Sequence, residues 1–409
     1  MSSTNTSGLS ALVSTIEPID GGVPTMTRWI CELLEELGIT PILAWYAPWR
    51  NHPKLSIPLY SLPSGAKPRM ISDYAFGRYE SYGLGCWLPE FEFTHYFATK
   101  MWKELISRCH FHLAVSGNAL CALPYLQSKV HFLAWIATPW EADRKNRIRQ
   151  LIVPRRILDS VVNTPILRKL EKRILNCKQG KILSLSNYTS NELRSLSQLE
   201  HKEVMYMPVD TNLFQPDYSK TSQWRIGFSG RYCDPRKNID LLLGAMRILL
   251  NQGYRPELIL VGERKAEQLR PMIRQYGLED NVACLMHLSP RDLAGLLQTL
   301  DLFAIPSHQE GLCIAALEAM ACGVPVVSTR CGGPEDYVQP GVTGELVEEK
   351  TVAAFASTVK SVCISRKRRQ QLSAGSIDWI EQHATKDVAR KEFRKHLTAY
   401  AEQKGYQIN

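Results

Sequence analysis

The feature that most restricts the fold is an alternation of short apolar runs with amphipathic helical stretches, found separately in each half of the 409-residue chain. A buried strand that runs through a helix before the next strand rejoins its sheet in parallel, with helices covering both faces. In the first half, residues 11–16, 41–46, 111–116, 130–136 and 182–185 read as buried strands. A Gly21-Gly22 turn opens a helix in which Met26, Trp29, Ile30, Leu33, Leu34 and Leu37 keep helical spacing, and Gly38 ends it. Residues 51–92, rich in Pro, Gly, Tyr and Ser, carry no assignable period. The second half repeats the pattern, with strands at 225–229, 257–261, 302–305 and 324–328 and helices at 238–251, 265–276, 290–299 and 312–322. Between the halves, residues 210–223 lose all periodicity, which predicts a first domain at 1–210, a second at 211–385, and a closing helix at 386–409 packed back on the first. Two doubly wound parallel sheets facing a central cleft are expected, with ligands at the carboxyl ends of the strands.

Composition narrows the partners. A formal charge of +9 favours anionic ligands, whether nucleotide, phosphate, lipid headgroup or nucleic acid. The 11 cysteines form no C-x-x-C pair, so a thiolate metal site or disulfide framework is not expected and a reducing, cytoplasmic setting fits. No run approaches the roughly 20 apolar residues that span a bilayer. No recognised nucleic-acid-binding module is present.

Two segments carry the chemistry. In Pro306-Ser307-His308-Gln309-Glu310-Gly311-Leu312, a buried strand runs through a proline turn into a helix expected to open near Gly311. The first amides of a helix have no intrahelical partner and carry the positive end of its dipole, so they suit phosphate. Glu310 stands before that helix and Glu318 about 12 Å along it, on either side of a phosphate held at the helix start. Either carboxylate has a plainer reading, Glu310 as a dipole partner and Glu318 as a solvated side chain. The apolar neighbours Ala315, Leu317, Ala319 and Met320 count against an idle Glu318. The second segment, Gly230-Arg231-Tyr232-Cys233-Asp234-Pro235-Arg236-Lys237-Asn238, follows a strand and opens a helix. It offers Arg231 as a planar fork and Lys237 as a point charge, with Arg236 a solvated neighbour.

In this order, G-R-x5-K, PSHQEGLCIAALEAMACGVPVVST and GGPEDYVQPGVTGELV resemble the family-4 retaining glycosyltransferases of the GT-B fold, the group 1 glycosyl transferases. GGVPTMTRWICELLEELG, SLSNYTSNEL and MPVDTNLFQP resemble their glycine loop, serine-bearing strand end and interdomain segment. The resemblance implies a nucleotide-diphosphate sugar donor, UDP- or GDP-linked, and a hydroxyl acceptor on a glycan or lipid. It implies that Arg231 and Lys237 neutralise the diphosphate, that Glu310 meets the sugar and Glu318 the ribose. It places Gly230 among the donor-binding residues and has Gly311, Leu312 and Cys313 offer backbone amides to the phosphates. Gly21 and Gly22 let the first-domain loop close over the donor. It further implies metal-free chemistry without a cofactor, and the chain contains no D-x-D.

The sequence departs from that family in one place. Many members carry a histidine in the loop after a first-domain strand, whereas the corresponding HFLAWIATPWEADRKNR has none beyond the strand start, leaving Thr138 or Glu141 for the position. His95 is a second candidate with a structural reading favoured. Glu335 either supports the site or caps the next helix. Residues 144–173 hold ten Lys or Arg against Asp159 and Glu171 alone, interleaved with Ile148, Leu151, Ile152, Val153, Ile157 and Leu158. This face suits an anionic membrane surface or an acceptor cleft. The alternatives to transfer are a GT-B nucleotide-sugar epimerase and a non-catalytic nucleotide-sugar-binding relative.

Overall fold

The computed structural model describes residues 8–19, 21–148, 152–199, 203–217, 219, 224–262, 266–286 and 288–408. The chain forms two compact units, the first of Met1–Met205 with Arg390–Asn409 and the second of Tyr206–Ala389.

The first unit is built on a seven-stranded sheet of β1 (Ser10–Thr15), β2 (Thr40–Tyr46), β3 (Met70–Ala75), β4 (Tyr79–Leu84), β5 (Phe111–Ser116), β6 (Phe132–Ile136) and β7 (Gly180–Ser184). Its spatial order is β3-β4-β2-β1-β5-β6-β7. The central strands are almost wholly buried and rich in Val, Leu and Ala, as parallel strands covered on both faces must be. The stretch without a period supplies β3 and β4, and β3 is the single departure from parallel pairing, an antiparallel edge joined to β4 by a tight hairpin. Both of its faces leave apolar side chains in water, Met70 and Tyr74 on one and Ile71 on the other, so no core alternation was there to be read. The helix Lys386–Gln403 ends against this unit. Phe393 packs edge-on to Trp29, and the Tyr400 hydroxyl donates to the His131 carbonyl at 2.6 Å.

The second unit carries a fully parallel six-stranded sheet of β8 (Arg225–Ser229), β9 (Glu257–Gly262), β10 (Val282–Met286), β11 (Leu302–Ile305), β12 (Val326–Thr329) and β13 (Gly344–Val347), in the order β10-β9-β8-β11-β12-β13. Strands β10 and β13 escape sequence reading because each is only partly buried and lacks a continuous apolar run. Chain order reverses beside β8, which places β8 and β11 side by side with their carboxyl ends at the switch point of the sheet.

Candidate active site

Both chemistry-bearing segments leave that switch point. Strand β8 ends at Ser229, and a Cβ at Gly262 on neighbouring β9 would stand 2.2 Å from the Gly230 carbonyl, so the two backbones meet there only because residue 262 is glycine. The following loop is wound around Asp234, whose carboxylate accepts from the Arg236 amide at 3.1 Å and the Arg236 guanidinium at 2.7 Å. Burial alone would raise the Asp234 carboxyl, but the Arg236 guanidinium outweighs it and holds the pKa at about 2. Arg236 is therefore no solvated neighbour. It is buried, and its function is to brace the loop. The Arg236 carbonyl accepts from the His308 amide at 2.7 Å, and Asn238 donates its side-chain amide to the Pro306 carbonyl at 3.1 Å. These two bonds fasten the β8 loop to the β11 loop.

So fastened, the loops bring Lys237 and Glu310 together. The Lys237 ammonium donates to both Glu310 oxygens, at 2.7 and 2.9 Å, and Ser307 Oγ donates to the first of them at 2.5 Å. Burial works against the ammonium, yet the Glu310 carboxylate holds its pKa above the ordinary lysine value. Arg231 lies on the same loop with a more exposed side chain, 3.4 Å from Asp234. From behind, the Glu310 amide donates to Cys331 and its carbonyl accepts from Gly333, at 2.7 and 2.9 Å. A Cβ at Gly333 would stand 2.1 Å from the Gly311 carbonyl. The Tyr337 hydroxyl donates to the Leu312 carbonyl at 2.7 Å.

The helix after Glu310 begins later than the sequence suggests. It spans Ile314–Ala321, because Cys313 adopts a left-handed conformation at φ +69° and turns the chain before the first helical residue. Glu318 is thus one turn inside the helix, about 6 Å from its start instead of 12. Among the described residues, no acceptor faces the amides of Leu312 and Cys313, and no donor reaches the Glu318 carboxylate. Glu318 is half-buried, and desolvation alone pushes its carboxyl up to about 7. A desolvated carboxylate without a donor is costly, and such positions cluster where a ligand completes them.

Of the other predicted residues, Gly21, Thr138 and Glu141 belong to the first unit and Glu335 to the second. Gly21 caps the helix Gly22–Glu36 at φ +121°, a conformation that favours glycine, with open space around it. Thr138 is buried, its amide donating to the Gly117 carbonyl at 2.8 Å. Glu141 is engaged by the Arg168 guanidinium at the surface, at 2.8 Å. Glu335 accepts from the Gly332 amide at 3.0 Å and from Arg330, which is the capping role. In the basic segment, Asp159 is wholly buried beneath Arg144 and Glu171 accepts from the Trp140 amide at 2.9 Å, so both acids are withdrawn from the surface. Leu151 of the basic segment and Lys265, the predicted start of the helix 265–276, lie outside the described residues. Ser307, Asp234 and Asn238 were not singled out as site residues. Each is an ordinary turn residue whose partner lies on another loop or is fixed only by the turn itself.

Residues 210–379 match the family model described as glycosyl transferases group 1. The chain is 26% identical over 258 residues to the D-inositol 3-phosphate glycosyltransferase of Segniliparus rotundus, covering 58% of this chain and 57% of that protein. It is 34% identical over 172 residues to a probable sucrose-phosphate synthase of Thermosipho melanesiensis, covering 39% and 40%. The chain thus spans 57% of the length of the first of these curated relatives and 40% of the second. Among solved structures, sucrose-phosphate synthase from Thermosynechococcus elongatus superposes with a TM-score of 0.72 at 18% identity, over 96% of this chain and 99% of that one. Anabaena HepE in complex with UDP-glucose gives 0.68 at 16%, over 96% and 100%.

Proposed function

We propose that the chain is a group 1 glycosyl transferase that uses its GT-B fold to transfer a sugar from a UDP- or GDP-linked donor to a hydroxyl acceptor, with retention at the anomeric carbon. The observation that supports this reading is the set of unfilled partners around the buried Lys237–Glu310 pair: two free amides at Leu312 and Cys313, the exposed Arg231, and the unpartnered Glu318.

A diphosphate at this position takes hydrogen bonds from the Leu312 and Cys313 amides and charge from Lys237 and Arg231. Glu310, already oriented by Ser307 and Lys237, accepts from hydroxyls of the transferred sugar. Glu318 accepts from the ribose diol, which returns to it the hydrogen bonds that burial removed. As the glycosidic bond lengthens, negative charge grows on the diphosphate, and fixed cations and amides stabilise that state more than the ground state. The leaving phosphate, on the same face as the departing bond, takes the acceptor proton, so the configuration is kept without a protein nucleophile or a metal. The basic face at 144–173, with Ile152, Val153, Ile157 and Val161 exposed beside Arg156, supports peripheral docking on an anionic cytoplasmic membrane surface and a lipid-borne acceptor.

The deciding experiment is a thermal-shift panel of UDP-, GDP-, ADP- and TDP-sugars, followed by proton NMR of the product's anomeric signal in the presence of chelator. A UDP- or GDP-sugar raises the melting temperature, and the product keeps the donor's anomeric configuration with activity intact. An inverted product, or activity abolished by chelator and restored by metal, overturns the mechanism. A second reading, nucleotide-sugar binding without turnover, is favoured by the engaged Glu141 and the histidine-free loop beside it. Donor stabilisation with neither transfer nor hydrolysis would establish it.

A further inference from the structure

The sheet of the first unit ends on two unlike edges. At one, β7 is closed by its own chain: the Ser184 amide donates to the Glu203 carbonyl and the Met205 amide to the Ser184 carbonyl, both at 2.9 Å. At the other, β3 pairs with β4 alone, and Met70, Ile71, Ser72, Asp73 and Tyr74 are all exposed. The Gly85 amide donates to the Arg69 carbonyl at 2.9 Å, which sets the phase of that antiparallel ladder. Arg69, Ile71 and Asp73 therefore turn their backbone groups towards β4, and Met70, Ser72 and Tyr74 turn theirs outwards. Tyr74 satisfies its amide on Asp73 Oδ1 at 2.8 Å. Among the described residues, nothing is bonded to the outward amides and carbonyls of Met70 and Ser72. An open edge of this kind is a template for another strand, and natural sheets usually charge it, cover it or cut it short.

The strand that suits it is β3 itself. Two copies laid antiparallel must match outward residues with outward residues, so the two-fold axis passes through a residue and not between two. Centred on Ile71, the pairing sets Met70 against Ser72 of the second copy twice, in hydrogen-bonded pairs. It sets Arg69 against Asp73 twice and Ile71 against itself, in the non-hydrogen-bonded pairs where side chains come closest. Arg69 and Asp73 are both exposed, and among the described residues no ion pair engages either. Ile71 lies over Gly83, where a Cβ would stand 2.8 Å from its Cγ2, so the bare glycine lets it lie against the sheet. Tyr74, with its amide already occupied, falls opposite Pro68, which has none to offer. Other centres are poorer. Met70 would set Arg69 against Ile71, Ser72 would set Ile71 against Asp73, and Asp73 would oppose its own charge.

We propose that the first unit binds a second copy of this chain through β3, in the register centred on Ile71, so that the two seven-stranded sheets become one. Because β7 is closed, the contact uses the same edge on both copies and stops at a dimer. The pairing does not rest on the transferase reading.

Sedimentation velocity of the full chain over a range of concentration tests this, with a thermal melt for every variant. The wild type passes from monomer to dimer as concentration rises. Ser72→Pro removes an outward amide while sparing the β4 ladder, and leaves a monomer. Arg69→Asp and Asp73→Arg each set like charges across the axis and weaken the dimer roughly tenfold or more. The two together restore it, because the pair is remade in the opposite sense, a result no purely structural effect of either residue gives. Ile71→Cys faces itself at a Cα separation of about 4.5 Å, within disulfide reach, so diamide links it into a covalent dimer beyond any linkage the wild type shows. Tyr74→Cys, facing Pro68, is not linked. The exposed swaps and the cysteine variants keep the test open should Ser72→Pro disturb β3. A wild type that stays monomeric at every concentration, a dimer indifferent to Ser72→Pro or to the single swaps, a double swap that stays weak, or linkage at 74 as efficient as at 71 would overturn the proposal.

Discussion

Arg231 and Lys237 are both basic residues of one loop, yet their settings separate binding from folding. Lys237 is buried against Glu310, and truncating it leaves an uncompensated carboxylate, a change that costs about 3–5 kcal/mol of stability. Arg231 is largely exposed, so Arg231→Ala should leave the melting temperature almost unchanged while kcat falls on the order of 10²-fold. Steady-state rates beside a thermal melt check both halves. Glu318 offers a test in pH. Its carboxyl titrates near 7 when folded against 4.5 unfolded, so the folded state holds its proton more tightly and stability declines as pH rises from about 4.5 through 7. Glu318→Gln cannot ionise. It is therefore expected to be more stable than wild type at pH 8 by up to about 3 kcal/mol, with the gain vanishing near pH 4. Urea denaturation at the two pH values measures this. The same variant should bind the donor nucleotide more weakly, because a neutral amide replaces the charged acceptor. A variant that is no more stable at pH 8 would contradict the burial assigned to this carboxylate.

At the scale of elements, the loop Pro306–Cys313 holds its shape because the segment after β12 supports it. The backbone bonds of Glu310 to Cys331 and Gly333, and of Tyr337 to Leu312, fix the amides that await phosphate. Gly333→Ala places a methyl group 2.1 Å from the Gly311 carbonyl, and neither backbone has a flexible side chain to yield. The substitution should cost about 1–3 kcal/mol and displace the loop, with nucleotide affinity falling at least tenfold. Isothermal titration with UDP, beside a denaturation curve, checks it; unchanged affinity would show that the loop does not depend on this support. The motif at 306–312 was legible as strand, turn and helix because hydrophobic periodicity is local. The late helix start was not, since the left-handed Cys313 lies where the Tyr337 hydroxyl, more than twenty residues away, holds the carbonyls of Leu312 and Cys313.

For the whole molecule, the helix Lys386–Gln403 is the element whose place depends on distant chain. Phe393 is buried beside Trp29, and Trp29 in turn packs against Trp135. Phe393→Ala should cost about 3–5 kcal/mol, and hydrogen exchange should accelerate in β1 and β6 while β8 and β11 keep their protection. Equal loss in both sheets would contradict a division into two units. The basic face gives a second prediction. Binding to vesicles containing phosphatidylglycerol should weaken with salt and be lost in Ile152→Asp with Ile157→Asp, whereas sedimentation indifferent to lipid charge would exclude docking there.

Hydrophobic period and turn residues are local properties, so the sequence by itself determined two parallel α/β sheets, most of their strands, and the loops on which Lys237 and Glu310 stand. The third dimension decided what those loops do to one another. It set Lys237 directly on Glu310, buried Arg236 and Asp159, spent Glu141 on Arg168, and left Glu318 and two amides without partners among the described residues. The reason is that charge pairing and desolvation depend on separations of a few ångströms between residues remote in the chain, which no local pattern encodes.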